Sequence, residues 1–374
     1  MSLASAAPTR PIGAACHTGI RVMICDDSVV IRGALTRMLE ADPDIRVVSR
    51  ASNGQQALAE LQRQPVDVIV LDIEMPVMDG LTALPLLLKA DPSVRVIMAS
   101  TLTLRGADIA LRALHLGAAD YLPKPDTAAI QDDSFRRELL AKVRGLARLR
   151  RQSRTTVAVP FLPAAHGVAA PPLVLRPPVR LRPSLLAIGS STGGPQALFT
   201  LVQALGRGLP VPVVLTQHMP KTFTPILADH LSKLGGMPCA EALHGERLEI
   251  GRIYLAPGDQ HLCIDGANGV LRARLTADPP ENFCRPSVDP MLRSASASCG
   301  GRVLVVMLTG MGHDGLAGTR DIIAAGGGAI AQDEATSVVW GMPGAIAQAG
   351  LCQAVLPLSR IAAKVRDILE MKPS

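Results

Sequence analysis

The chain has 374 residues, 48% hydrophobic and 19% charged, which supplies apolar material for two cores and argues against a disordered protein or a collagen-like fibre. Its seven cysteines are an odd count with no C-x-x-C pair, a pattern that fits reduced thiols in a cytoplasmic setting better than a disulfide framework or a zinc site. A formal charge of +6 with only 2% aromatics, and no zinc-finger or stacking pattern, is weak support for nucleic-acid binding.

Residues 1–19 are polar and Ala/Pro-rich, lack the apolar core of a secretory signal, and read as a disordered tail. Short apolar runs follow at Arg21–Cys25, Arg46–Ser49, Val66–Leu71, Val94–Ala99 and Asp120–Leu122, each preceding a helix-compatible segment. Five βα units predict a parallel sheet, and Val68-Ile69-Val70-Leu71 is the continuous run of a strand covered on both faces. Ligands of such sheets bind beyond the carboxyl ends of the strands. Asp26 and Asp27 close the first strand and Asp72 the third. Three converging carboxylates repel one another unless a hard dication such as Mg²⁺ lies among them. Ser100 adds a hydroxyl at the end of the fourth strand, and Lys124-Pro125 adds a point charge suited to a phosphoryl oxygen.

These residues, with the run Leu71-Asp72-Ile73-Glu74-Met75-Pro76-Val77-Met78-Asp79-Gly80, resemble the receiver domain of two-component response regulators over residues 20–138. The resemblance implies that Asp72 accepts the phosphoryl group and that Asp26 and Asp27 join it in binding Mg²⁺. It further implies that Ser100 and Tyr121 form the switch and that Lys124 holds the phosphate.

No Asp or Glu occurs between Glu138 and Asp229. Within that window Pro160, Pro163, Pro171, Pro172, Pro177, Pro178 and Pro183 alternate with arginines and small residues, the composition of an extended, semi-rigid connection. Residues 139–183 are expected to be a linker.

After it, the strand Leu185–Ile188 runs into Gly189-Ser190-Ser191-Thr192-Gly193-Gly194-Pro195 and a helix. A phosphate cradle and a nucleophile elbow both need strand, glycine turn and helix. The segment lacks the lysine of a P-loop and the spacing of a dinucleotide site, whereas Gly189, Ser191 and Gly193 satisfy G-x-S-x-G. That register selects Ser191 over its neighbour Ser190. A serine nucleophile needs a base and an orienting acid. The adjacent strand Val211–Gln217 delivers His218 at its carboxyl end. His261 follows the turn Pro257-Gly258-Asp259 at the start of a strand and reads as structural. The strand Arg302–Thr309 leads into Gly310-Met311-Gly312-His313-Asp314-Gly315, which offers Asp314 as the acid. The backbone amides of Thr192, His218 and Met311 are equal candidates for an oxyanion hole.

The chain order Ser, His, Asp differs from the Ser, Asp, His order of α/β-hydrolases. Residues 184–370 instead resemble the catalytic domain of the chemotaxis protein-glutamate methylesterases, the CheB family. The resemblance rests on Gly189–Gly194, Gln217-His218-Met219-Pro220, Ala256–Leu262, Arg285-Pro286-Ser287-Val288-Asp289 and Leu308–Gly315. It implies an α/β protein of two doubly wound parallel-sheet domains, a flavodoxin-like receiver and a Rossmann-like methylesterase domain. Such an enzyme hydrolyses glutamyl methyl esters and deamidates glutamines on methyl-accepting chemotaxis receptors. It needs Mg²⁺ for receiver phosphorylation by a chemotaxis histidine kinase and no cofactor for hydrolysis, and it neither binds nucleic acid nor inserts in a membrane. In the family the unphosphorylated receiver covers the active site. Two departures stand out: Gly-Ser-Ser replaces the usual Gly-Ala-Ser, and His313 precedes the acid where a small residue is common. Alternatives from other classes are an output domain that binds without catalysis, a hydrolase of a different ester, and a DNA-binding regulator, which would need a recognition-helix module that is not evident.

Overall fold

The computed structural model describes residues 19–101, 103–124, 133–155, 173–178, 182–267 and 269–370. Apart from Gly19, the expected tail lies outside them, as do Pro125 and, of the expected linker, residues 156–172 and 179–181.

In the amino-terminal half β1 (Ile20–Cys25), α1 (Val29–Glu40), β2 (Ile45–Ala51), α2 (Gly54–Arg63), β3 (Val68–Asp72), α3 (Gly80–Ala90), β4 (Arg95–Ser100), α4 (Leu104–His115), β5 (Asp120–Pro123) and α5 (Asp133–Thr155) alternate. The sheet order is β2-β1-β3-β4-β5, with every neighbouring pair parallel. Buried apolar runs form the strands, and α1 to α4 start where Ser28, Asn53, Asp79 and Thr103 cap the first amides with their side chains.

Helix α5 continues through residues 139–155, into the segment expected as linker. Phe135, Leu139, Val143, Leu146 and Ala147 recur at helical spacing and are buried, so this arginine-rich stretch carries an apolar face. Arg150 is buried too, and donates to Ser93 Oγ at 3.1 Å, Asp67 Oδ1 at 3.1 Å and Asp91 Oδ2 at 2.6 Å. Of the remaining linker, residues 173–178 are exposed coil, with the Arg176 amide donating to the Cys352 carbonyl at 2.8 Å.

In the second half β6 (Leu185–Ser190), α6 (Gly194–Leu205), β7 (Val213–Gln217), α7 (Thr224–Gly235), β8 (Cys239–Glu241) and β9 (Ile253–Leu255) precede the hairpin β10 (His261–Ala267) and β11 (Val270–Thr276). Then come α8 (Val288–Cys299), β12 (Val303–Met307), α9 (Leu316–Ala324), β13 (Gly328–Gln332), α10 (Met342–Gln348), β14 (Ala354–Leu356) and α11 (Leu358–Leu369). The seven-stranded sheet runs β14-β13-β12-β6-β7-β9-β8, all parallel. The antiparallel hairpin β10–β11 stands apart as an addition to the parallel plan.

In both sheets the chain reverses its direction of winding between two adjacent strands, opening a crevice at their carboxyl ends. In the first sheet those strands are β1 and β3, which end beside Asp26, Asp27 and Asp72. In the second they are β6 and β12, which lead to Ser191 and to the loop carrying Asp314. No helix among the described residues is long and apolar enough to cross a membrane.

Candidate active site and receiver acid cluster

Ser191 follows β6 directly, and Gly193, at φ 73°, turns the chain into α6 with a left-handed backbone that a side chain would strain. The Ser191 amide donates to the Thr309 carbonyl at 3.0 Å, tying this turn to the end of β12. Register between β6 and β7 pairs Ser190 with Gln217, so Ser191 and His218 leave adjacent strands side by side. Gln217 clamps them: its Nε2 donates to the carbonyls of Ser191 and His218, both at 3.0 Å. Its Oε1 accepts from buried Ser190 Oγ at 2.7 Å, which occupies the second hydroxyl of the Ser-Ser pair.

His218 Nε2 lies 2.7 Å from Asp314 Oδ2. Asp314 is buried and also accepts from Ser287 Oγ (2.8 Å), Asn282 Nδ2 (2.9 Å) and the amides of Val288 (2.6 Å) and Asp289 (3.1 Å). Burial opposes its charge, but His218 and these donors outweigh that and hold its carboxyl well below the usual range. For His218, burial works against the imidazolium, yet the bond to Asp314 and the Cys284 thiol prevail and lift it to about 10. The other ring nitrogen, Nδ1, faces Cys284 Sγ at 3.4 Å, and no hydrogen bond joins the ring to Ser191 Oγ. The three residues expected from the sequence therefore share one crevice, with the His–Asp link made and the Ser–His link unmade.

One oxyanion candidate is corrected. The His218 amide donates to the Ser190 carbonyl at 3.1 Å and is committed to the strand edge. The amides of Thr192 and Met311 have no such partner. His261 is buried, accepting from the Ser287 amide through Nδ1 at 3.1 Å and facing the Pro279 carbonyl through Nε2 at 3.2 Å, a structural role as expected. Sequence reasoning missed Cys284, Gln217 and Asn282. Gln217 stands within the Gln217-His218-Met219-Pro220 motif and Cys284 adjoins the motif that starts at Arg285, but only folding brings their side chains to the site.

In the first half, one oxygen each from Asp26, Asp27 and Asp72 lies within 4.8 Å of the others. Burial raises Asp72 to about 6, Lys124 opposing and Asp26 reinforcing the rise. Lys124 Nζ is 2.7 Å from Asp72 Oδ2 and 3.2 Å from Asp26 Oδ2 and pairs with both buried oxygens. Three carboxylates against one ammonium leave an all-oxygen, net-negative cluster, which suits a hard dication. Ser100 Oγ is buried beside the same strand ends with no hydrogen-bond partner among the described residues, and Tyr121 is buried.

The two halves meet at this edge. Asp120 Oδ2 accepts the Gly193 amide at 3.1 Å, within the serine turn itself. The Tyr121 ring stacks on Phe223, centroids 4.8 Å apart, and Gln196 Nε2 donates to the Leu114 carbonyl at 2.9 Å. Further along, Arg148 bonds Glu334 Oε1 at 2.7 Å, and Gly145 lies so close to Val338 that a Cβ there would sit 1.9 Å from the Val338 carbonyl oxygen.

Comparison with known proteins agrees with this division. Residues 186–365 match the CheB methylesterase family model and residues 22–133 the response regulator receiver domain model. The protein-glutamate methylesterase/protein-glutamine glutaminase of group 2 operon of Rhodospirillum centenum is 55% identical over 369 residues, covering 93% of each chain. The protein-glutamate methylesterase/protein-glutamine glutaminase of Azospirillum brasilense is 54% identical over 371 residues, 95% of this chain and 94% of that one. The crystal structure of the Thermotoga maritima CheB methylesterase catalytic domain, 37% identical, covers 51% of this chain and 99% of that chain at a TM-score of 0.48. With identity this high over nearly the full length, and a receiver joined to a methylesterase domain, the chain belongs to the CheB methylesterase family.

Proposed function

We propose that this chain is a phosphorylation-controlled serine hydrolase that removes methyl groups from glutamyl methyl esters, and amide nitrogen from glutamines, on methyl-accepting chemotaxis receptors. The reading divides the chain into a receiver over residues 20–138 and a hydrolase over residues 184–370. The observation that carries it is His218 held on buried Asp314 at 2.7 Å, beside Ser191 at the reversal point of the parallel sheet. Ser191 Oγ attacks the side-chain carbonyl while His218 takes its proton and returns it to the departing methanol or ammonia. Asp314 fixes the imidazole and supports its positive charge. The amides of Thr192 and Met311 are suited to receive the developing oxyanion. Water, activated by the same histidine, then releases the glutamate. His218 must exchange Cys284 for Ser191 Oγ to act as base, a realignment consistent with catalytic hydrogen bonds that form only in the substrate complex.

On the receiver, a chemotaxis histidine kinase phosphorylates Asp72. Asp26, Asp27 and Asp72 would hold Mg²⁺, which when bound offsets the charge of the acids and of the phosphate. Lys124 neutralises a phosphoryl oxygen, and Ser100 and Tyr121 respond to it. The Asp120–Gly193 and Tyr121–Phe223 contacts support the reading that the unphosphorylated receiver restrains the hydrolase. The protein works in the cytoplasm, against the cytoplasmic helices of its receptors.

The test is methanol release from a methylated chemoreceptor fragment by the full chain, with and without Mg²⁺ plus acetyl phosphate, with Ser191→Ala as blank. Release that depends on Ser191 and rises on phosphorylation supports both halves of the reading. Wild-type chain that hydrolyses small esters and leaves every methylated fragment intact overturns the assigned substrate.

A further inference from the structure

Phe283 is 97% exposed, while the other described phenylalanines, Phe135, Phe199 and Phe223, are buried. It sits on the segment joining β11 to α8, where the Glu281 and Cys284 backbones exchange hydrogen bonds of 3.1 and 3.0 Å around a two-residue tip. Both tip residues have positive φ, 53° at Asn282 and 63° at Phe283. A turn of this kind favours Asn-Gly, and a bulky aromatic in the second position is strained.

The strained tip is held firmly. Glu281 forms a two-pronged ion pair with Arg293 at 2.5 and 2.6 Å. Asn282 Nδ2 donates to Asp289 Oδ2 at 3.0 Å and to the catalytic acid, Asp314 Oδ1, at 2.9 Å. Cys284 Sγ touches the catalytic histidine, and Arg285 pairs with Asp259 at 2.7 Å. The flanks of one exposed ring are thus bonded to both members of the His–Asp pair. Met311, 37% exposed on the loop that carries Asp314, adds a second apolar group to the rim. Because the charges around the tip are paired internally, the ring offers apolar contact rather than ionic attraction.

Strain retained at a position fixed to a catalytic pair points to use. We propose that Phe283 is the aromatic anchor that seats the protein substrate: it packs on the apolar side chains flanking the esterified glutamate and so determines affinity for the receptor helix. The proposal rests on the hydrolase reading above. A glutamyl side chain is short, so its own backbone must come close to the His–Asp pair when its carbonyl reaches Ser191, and the residues on either side of this exposed ring are bonded to that pair. Buried aromatic anchors of this sort carry a large share of binding energy at protein interfaces.

The experiment measures kcat and KM of the phosphorylated full chain for a methylated receptor fragment, with p-nitrophenyl acetate hydrolysis and fluorophosphonate labelling of Ser191 as checks on the site. Phe283→Ala is expected to raise KM for the fragment about tenfold, independently of salt, with kcat within about twofold and both small-molecule readouts unchanged. Phe283→Tyr should restore KM. Phe283→Gly removes the ring and relieves the backbone, so it should melt higher than the wild type while sharing the raised KM. An unchanged KM in the alanine and glycine variants overturns the proposal. So does an equal loss on p-nitrophenyl acetate, which would make the ring a support of the catalytic pair, or a self-association that the alanine variant abolishes without change in KM. Wild-type chain that hydrolyses p-nitrophenyl acetate and leaves the fragment intact overturns the assigned substrate and this proposal together.

Discussion

Two adjacent serines in one turn have opposite environments: Ser190 Oγ is buried on Gln217, whereas the hydroxyl of half-buried Ser191 has no hydrogen-bond partner among the described residues. Ser191→Ala should therefore lower methanol release by on the order of 10⁴-fold. Ser190→Ala should leave kcat within a few-fold but strand Gln217 Oε1, with a loss of about 1–3 kcal/mol in thermal or urea unfolding. His218 sets the pH response. Its folded-state value near 10 lies above that of a free histidine, so the imidazolium contributes stability in full below about pH 6.5, and this is lost as pH rises through about 10. The neutral base needed for attack is scarce in the same window. Unstimulated turnover should climb with pH toward 10, and Cys284→Ala, by removing one support of the imidazolium, should move that rise to lower pH. A pH–rate profile of both chains checks this; coincident profiles would remove Cys284 from any influence on the base.

At the scale of elements, the legible features were those written in local pattern. Apolar runs ending in Asp26, Asp72, Ser191, His218 or the loop of Asp314 located the strand ends where the chemistry gathers. What escaped was pairing across long separations. The contact of Cys284 with His218 spans 66 residues and that of Asp120 with Gly193 spans 73, and neither leaves a trace in spacing. The length of α5 was missed for another reason: its arginines suggested a solvated connection, but the stripe from Phe135 to Ala147 faces the core and Arg150 is buried on two carboxylates. At the junction of β5 and α7, the Tyr121–Phe223 stack joins the proposed switch residue to the second half of the chain. Tyr121→Ala should raise unstimulated methanol release several-fold and shrink the increment from acetyl phosphate, measured on the same preparations. Unchanged basal release would detach this ring from control.

For the whole molecule, the receiver and the hydrolase are two parallel sheets, each with its crevice at the carboxyl ends of the strands between which the winding reverses, joined where Asp120 reaches the serine turn. Asp72→Ala should abolish stimulation by acetyl phosphate and keep the basal rate, as read by methanol release; stimulation that survives would place control elsewhere. The approach of α5 to the 334–339 loop at Gly145 and Val338 leaves no room for even one added carbon. Two surfaces that meet through a bare backbone leave a side chain no place at that point, so the closeness of the junction depends on this one glycine. Gly145→Ala should wedge these surfaces apart and, under the proposed restraint of the hydrolase by the receiver, raise methanol release measured without phosphodonor; unchanged release would show that this contact carries none of that restraint.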